Sequence, residues 1–261
     1  MSTRRAALVL ALAALTGPVR AEIPGLSAIL DRPGLRYLVI GEMHGTEEMP
    51  AFFGDLVAEV AARKPITVVL EYPQSRQRDL DRYLASPGDA AARKALLAAD
   101  YWARGRDGRS SRAMLALIET LRSLQLPVSA CQPDGIAGDP TAYERVMGEC
   151  WMQDMDNAKR LTLIFVGNAH ASFTPIFGDY LPAAAHLPRE QTLSLGNLPA
   201  SGSAWSCESI DKCGAFQFHL SGTPQPRGLY LGQALPEETG TYDGAYSAGP
   251  HFTASPPTAA P

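Results

Sequence analysis

The feature that most constrains this chain is the alternation of short, continuously apolar, β-branched runs with segments of helical hydrophobic spacing. Arg36–Ile40 (RYLVI), Ile66–Leu70 (ITVVL), Val128–Cys131 and Leu161–Val166 (LTLIFV) are runs of the first kind. Phe52, Phe53, Leu56, Val57, Val60 and Ala61 recur at helical spacing, and helical patterns follow across residues 76–98, 111–125 and 140–158. A strand buried on both faces reads as an uninterrupted apolar run, because neither side of it meets water. Such strands alternating with amphipathic helices predict an α/β fold. The sheet should be mainly parallel, flanked by helices on both faces and joined by right-handed crossovers. Gln191–Leu195 and Ala215–Leu220 are further strand candidates. From about residue 197 the chain becomes rich in Gly, Ser, Pro and aromatics and loses helical periodicity. There we expect a small irregular or antiparallel β extension of the same sheet. Residues 22–246 then form a single α/β domain, and 247–261 an extended or mobile Pro/Ala-rich tail.

Residues 1–21 carry the marks of an export signal. Arg4 and Arg5 precede an apolar run from Ala6 to Leu15, and Val19 and Ala21 suit a small-residue cleavage site before Glu22. The run is too short to span a bilayer, no later segment is longer, and no Cys follows the cleavage site. A periplasmic or secreted protein without a membrane span is therefore expected. Removing Arg4, Arg5 and Arg20 takes the formal charge from −4 to −7. That balance, with no basic run, excludes the electrostatics of nucleic-acid binding.

Four cysteines suit an oxidising compartment. Cys207 and Cys213 lie close together in a turn-forming stretch, SGSAWSCESIDKCG, and are expected to bond to each other. Cys131 and Cys150, at a strand end and in a helix, are either paired or buried free thiols. There is no Cys-x-x-Cys for zinc or redox chemistry.

In a parallel sheet, ligands bind beyond the carboxyl ends of the strands. Four strand ends read Gly41-Glu42-Met43-His44-Gly45-Thr46-Glu47-Glu48, Glu71-Tyr72, Gln132-Pro133-Asp134 and Gly167-Asn168-Ala169-His170. Two are Gly-x-x-His. With 23 Gly and 5 His in the chain, composition gives about 0.4 such matches. Two, both immediately after parallel strands, collect His and carboxylates at one sheet edge. The glycines are expected to let the chain turn sharply. There is no Gly-x-Ser-x-Gly elbow, phosphate loop, dinucleotide fingerprint, zincin helix or Cys-x-x-Cys-His.

GEMHGTEE after the first strand, VVLEY at the second and GNAH after a later one resemble, in order, the Tiki/TraB, ChaN-like and erythromycin-esterase-like superfamily. The resemblance spans most of residues 35–196. It implies an α/β sheet with these motifs at its carboxyl edge, in a superfamily that includes metal-dependent proteases, ester hydrolases and haem-binding uptake proteins. The motif residues carried over are Glu42, His44, Glu71 and His170. An Arg contributes in the Tiki branch. Arg109, after an Asp-Gly turn, is preferred here to Arg112.

Three functional readings follow. In the first, Glu42, His44, Glu71 and His170 bind a divalent metal ion that activates water for hydrolysis of a small-molecule or peptide ester or amide. The second uses the same residues without metal: His44 as general base, Glu71 orienting it, and His170 donating to the leaving group or oxyanion. The third is a non-catalytic haem- or metal-binding protein, with Tyr72, Tyr101 and Trp102 as candidate walls of a haem cleft.

Overall fold

The structure is a computed structural model that describes residues 22–136, 138–153, 160–198, 200–209, 212–219, 221–232 and 241–258. The expected leader, 1–21, lies outside these residues. The strands are β1 (Tyr37–Glu42), β2 (Ile66–Pro73), β3 (Val128–Gln132), β4 (Leu161–Gly167), β5 (Thr192–Asn197), β6 (Ser201–Ser209), β7 (Lys212–His219), β8 (Gly228–Leu231), β9 (Gly244–Ser247) and β10 (His251–Phe252). The helices are α1 (Leu26–Leu30), α2 (Glu48–Ala61), α3 (Gln77–Leu84), α4 (Ala90–Leu97), α5 (Asp100–Ala103), α6 (Arg112–Ser123), α7 (Pro140–Trp151) and α8 (Asn168–Ala171).

The main sheet has seven strands in the order β3-β2-β4-β1-β5-β9-β8. All its pairs are parallel except β8 with β9. The expected mainly parallel α/β sheet is therefore present. Period-2 alternation divides each central strand between two cores. Leu38, Ile40, Val68, Leu70, Leu163 and Phe165 face one core, shared with α2 and α6. Tyr37, Val39, Val69, Ile164 and Val166 face the other, with Met147, Cys150 and Trp151 of α7.

The order of the strands explains which helix covers which face. From β1 through β2 to β3 the chain steps toward one edge, and α2 and α6 cover one face. From β3 through β4 to β5 it steps back, so α7 and the turn Ala183–His186 cover the other. Right-handed crossovers demand this exchange of faces when the direction reverses. The returning strand β4 inserts between β2 and β1. That insertion makes the carboxyl ends of β2, β4 and β1 direct neighbours.

Beyond residue 197 the structure departs from expectation. β6 and β7 form a hairpin that belongs to a second, three-stranded sheet, in the order β10-β6-β7. Only β8 and β9 extend the main sheet. The Cys207–Cys213 bond joins directly opposed residues of that hairpin instead of pinning a loop of the main sheet. Residues 248–258 are extended and docked: Phe252 and Ser255 are buried, and Pro257 bridges to Ser111. Cys131 and Cys150 are also bonded, tying the end of β3 to α7.

That second bridge closes a loop of 19 residues in sequence separation, against 6 for the hairpin bridge. In the chain-entropy account the longer loop restricts the unfolded chain more, contributing about 3 kcal/mol against about 2 kcal/mol for the shorter one. Replacing Cys131 and Cys150 by Ser should lower the unfolding free energy by about 3 kcal/mol in urea. The Cys207→Ser/Cys213→Ser pair should lose less. The reverse order would contradict this account.

Candidate active site

Glu71 lies near the carboxyl end of β2 and is nearly fully buried, with its side chain 2% exposed. Its Oε2 accepts the backbone N–H of Gly167 on β4 (2.8 Å). His44 places Nε2 3.4 Å from the same oxygen. Oε1 lies 3.9 Å from His170 Nε2 and 3.5 Å from an Arg109 guanidinium nitrogen. One carboxylate thus faces two imidazoles and a guanidinium from three separate segments. Glu42, His44, Glu71, His170 and Arg109 all meet at this edge. Arg112 does not: it opens α6 and is exposed.

The glycines of the two motifs act differently from expectation. Neither Gly41 nor Gly167 has a positive φ. They stand side by side on β1 and β4, where Gly41 registers with Val166 and Glu42 with Gly167. A Cβ on Gly41 would lie 2.5 Å from Asn168 Oδ1, and one on Gly167 would lie 3.0 Å from His44 Nε2. Each motif's glycine therefore leaves room for the other motif's side chain. The pattern records close packing between adjacent strand ends, not a sharp turn.

The two histidines have different surroundings. His44 donates Nδ1–H to Glu42 (2.9 Å), and its Nε2 faces Glu71, so both ring nitrogens point at carboxylates. His170 donates Nδ1–H to Glu144 Oε1 (2.7 Å), while among the described residues Nε2 has no polar partner closer than Glu71 at 3.9 Å. Glu144, on α7, is buried and is itself held by the Ala183 N–H on Oε2 (2.8 Å). Sequence reasoning missed Glu144. Nothing local marks it, since it is one acid in the middle of a helix. It also missed Asp107, which fixes Arg109 through two guanidinium contacts of 2.7 and 3.2 Å and caps its backbone N–H.

The charges follow from these contacts. Burial opposes a charge on His44, but Glu71 and Glu42 outweigh it and push the imidazole up to about 10. Burial likewise opposes the charge of Glu71, and His44, with help from His170 and Arg109, holds it well below the usual carboxylate range. For His170, burial is outweighed by the hydrogen bond to Glu144 and by Glu71, and its pKa rises above the ordinary value.

These donor groups do not fit a divalent ion as they stand. A metal takes the lone pair of a neutral imidazole, and both nitrogens of His44 are turned to carboxylates as N–H donors. Among the described residues no group of three or more His, Cys, Asp or Glu is arranged to hold a metal. Haem fares no better with the residues proposed for its cleft. Tyr72 and Trp102 are buried and hydrogen-bonded to each other, and Tyr101 donates to the Arg109 carbonyl. The three rings pack edge-on or tilted against one another, with centroids 4.5–6.1 Å apart.

The late segments close over the site loops. Gly45, at φ 81°, lies where a Cβ would strike the Trp205 carbonyl at 2.1 Å. Its own carbonyl accepts from both Trp205 and Ser255 N–H, each at 2.8 Å. Arg112 N–H donates to Pro256 O, Thr258 N–H to Ser110 O, and Ala113 N–H to Ser255 Oγ. Trp205 Nε1 reaches the Arg106 carbonyl (2.8 Å). A surface cavity of about 640 Å³ lies at the other end of the strands, near Val128 and Arg160, and lacks any such cluster.

No family profile matches the sequence, and no curated protein does. Similar solved structures do exist. A mutant erythromycin esterase, EreC, in its open conformation superposes with TM-score 0.60 at 11% identity, over 84% of this chain and 92% of that one. A succinoglycan biosynthesis protein gives 0.57 at 10% identity, covering 72% of each chain. A Bacillus cereus protein gives 0.51 at 14%, over 74% and 73%. The chain spans only 37% of a bacterial protein toxin that it also resembles. At these identities the likeness establishes a shared α/β fold, with an esterase among its bearers.

The linkage of His44 to stability has a definite sign. Its folded pKa lies above the ordinary 6.5, so its stabilising contribution is complete below about 6.5 and is lost as pH rises through about 10. The difference in urea-unfolding free energy between wild type and His44→Gln should therefore be largest near pH 6 and shrink by pH 10.5. A difference that grows with pH would contradict the charged pair.

Proposed function

We propose that this is an exported, metal-independent hydrolase of an ester or amide, from the erythromycin-esterase-like branch of the superfamily its motifs resemble. The observation that carries the reading is the unequal state of the two histidines. His170 is held through Nδ1 by a buried carboxylate and presents Nε2 to the cleft, which is the arrangement of a general base. His44 is a fixed cation between two carboxylates. The base role first read at His44 therefore passes to His170, which keeps the donor role as well.

In this reading His170 Nε2 takes a proton from water in the gap beside Glu71 Oε1. The water attacks the acyl carbonyl, and the Arg109 guanidinium, partly exposed, stabilises the developing oxyanion. Glu144 keeps the imidazole in the tautomer with a free Nε2 and stabilises the imidazolium once formed. That imidazolium then protonates the leaving group. Glu71 positions Arg109 and both histidines, and His44 keeps Glu71 charged. Export agrees with the two disulfides and with the lack, among the described residues, of any helix long and apolar enough to cross a membrane.

Two outcomes test this. With a panel of 4-nitrophenyl esters and anilides, Glu144→Gln should lower kcat by about 10²–10⁴-fold with the fold intact, and a chelator should leave wild-type turnover unchanged. Full activity in Glu144→Gln together with loss on chelation would favour the metal reading. The pH profile of kcat/KM should rise through a value above 6.5, as His170 loses its proton. It should fall near 10, where His44 loses the charge that balances Glu71. An acidic limb near 4–5 would make a carboxylate the base instead.

A further inference from the structure

We infer that the loop between His170 and Ala183 is an apolar substrate lid, and that the site acts on molecules carrying a large apolar group beside the scissile bond. The inference rests on the hydrolase reading and adds the class of substrate.

Large hydrophobic side chains are rarely left in water at a loop without a reason, above all several together. Among the described residues four are conspicuously exposed, and three of them lie in this one loop: Ile176 at 36%, Phe177 at 65% and Leu181 at 53%. Both ends of the loop are tied to the proposed base. It leaves α8 one residue after His170 and Ala171, and it returns at Ala183, whose N–H holds Glu144. With about eleven residues between those anchors, its tip lies at most ~20 Å from the dyad even when fully extended. The apolar side chains therefore cannot leave the neighbourhood of the cleft.

The loop is also built to move. Its ends are fastened: Ser172 Oγ–H lies within bonding distance of the Ala169 and Thr174 carbonyls, and Phe173 N–H donates to Thr241 O. Between 175 and 181 no backbone hydrogen bond to another described residue is formed, and Gly178 supplies a left-handed turn at φ 68° directly after Phe177. A segment with few backbone bonds and exposed apolar side chains opens at little cost. Closing it over an apolar acyl or aryl group would bury those side chains and exclude water from the reacting carbonyl. The cleft floor is made of charged groups, so it offers no comparable surface for such a group.

The test compares 4-nitrophenyl acetate with 4-nitrophenyl octanoate, using wild type and Ile176→Ser/Phe177→Ser/Leu181→Ser. Wild type should favour octanoate in kcat/KM. The variant should lose tenfold or more on octanoate, mainly through KM, and change less than threefold on acetate. Equal effects on both esters, or no effect on either, would overturn the lid. So would a wild-type dimer that becomes monomeric in the variant with kinetics unchanged, because the occupant would then be a second copy. Binding of the uncleavable heptyl phenyl ketone is followed in parallel by the NMR shift of His170 Cε1–H. Ketone binding that depends on the three side chains, without turnover of either ester, keeps the lid and removes the hydrolase reading. Turnover without preference for the longer chain does the opposite.

Discussion

Glu71 sits near the carboxyl end of β2 with almost none of its surface in water, and a carboxylate so placed must find its compensation inside the protein. It finds it in His44, Arg109, His170 and the Gly167 N–H, from three places in the chain. Each partner is fixed in turn by another acid or another backbone group: His44 by Glu42, Arg109 by Asp107, His170 by Glu144. Such a network holds its charges only as a whole. Removing Glu71 leaves the His44 and Arg109 cations and the His170 imidazole facing one another, whereas removing one cation leaves a buried carboxylate short of a partner. Deletions within it should not add, and only double-mutant cycles would apportion them.

How much of this could be read in the sequence depends on range. The parallel sheet was legible because each central strand is a continuous apolar run. The convergence of His44, Glu71 and His170 was legible because strand ends in such a sheet lie on one edge. The resemblance called for an arginine, and the Asp-Gly turn favoured Arg109 over Arg112. Glu144 was not, because its partner is twenty-six positions away and its meeting with His170 depends on which face α7 covers. The purpose of Gly41 and Gly167 was misread for a related reason. Their constraint comes from the neighbouring strand and not from their own backbone angles. Of the hairpin only Ala215–Leu220 was legible as strand; its pairing with β6 and the docking of β10 escaped because segments rich in Gly, Ser and Pro carry little periodicity. The parallel pairing of His251 with Ser201 bridges fifty residues without a local sign.

The two Gly-x-x-His motifs are alike in sequence, yet the sheet makes them unlike. β1 is flanked by β4 and β5, and β4 by β2 and β1. His44 therefore leans back over β4 toward Glu71, while His170, in α8, faces α7 and finds Glu144. A histidine bonded to carboxylates at both nitrogens is a charge carrier; one bonded at a single nitrogen keeps a site for proton transfer. The division of labour between them thus comes from strand order, and no comparison of the two motifs alone could have supplied it.

The last segments bear on the site from outside the motif region. Gly45 follows His44 directly, and its carbonyl is shared by the hairpin (Trp205) and the C-terminal stretch (Ser255). The same stretch bonds the backbone at Ser110, Arg112 and Ala113, next to Arg109, and Trp205 bonds the Arg106 carbonyl just before Asp107. The loops carrying His44 and Arg109 are therefore laced together by chain that contributes no titratable group to the centre. Arg109 can hold a fixed distance from Glu71 only if its loop is fixed relative to β1 and β2. The described contacts that do this come largely from residues beyond 200, which makes the Gly/Ser-rich hairpin and the Pro-rich end part of the geometry of the site.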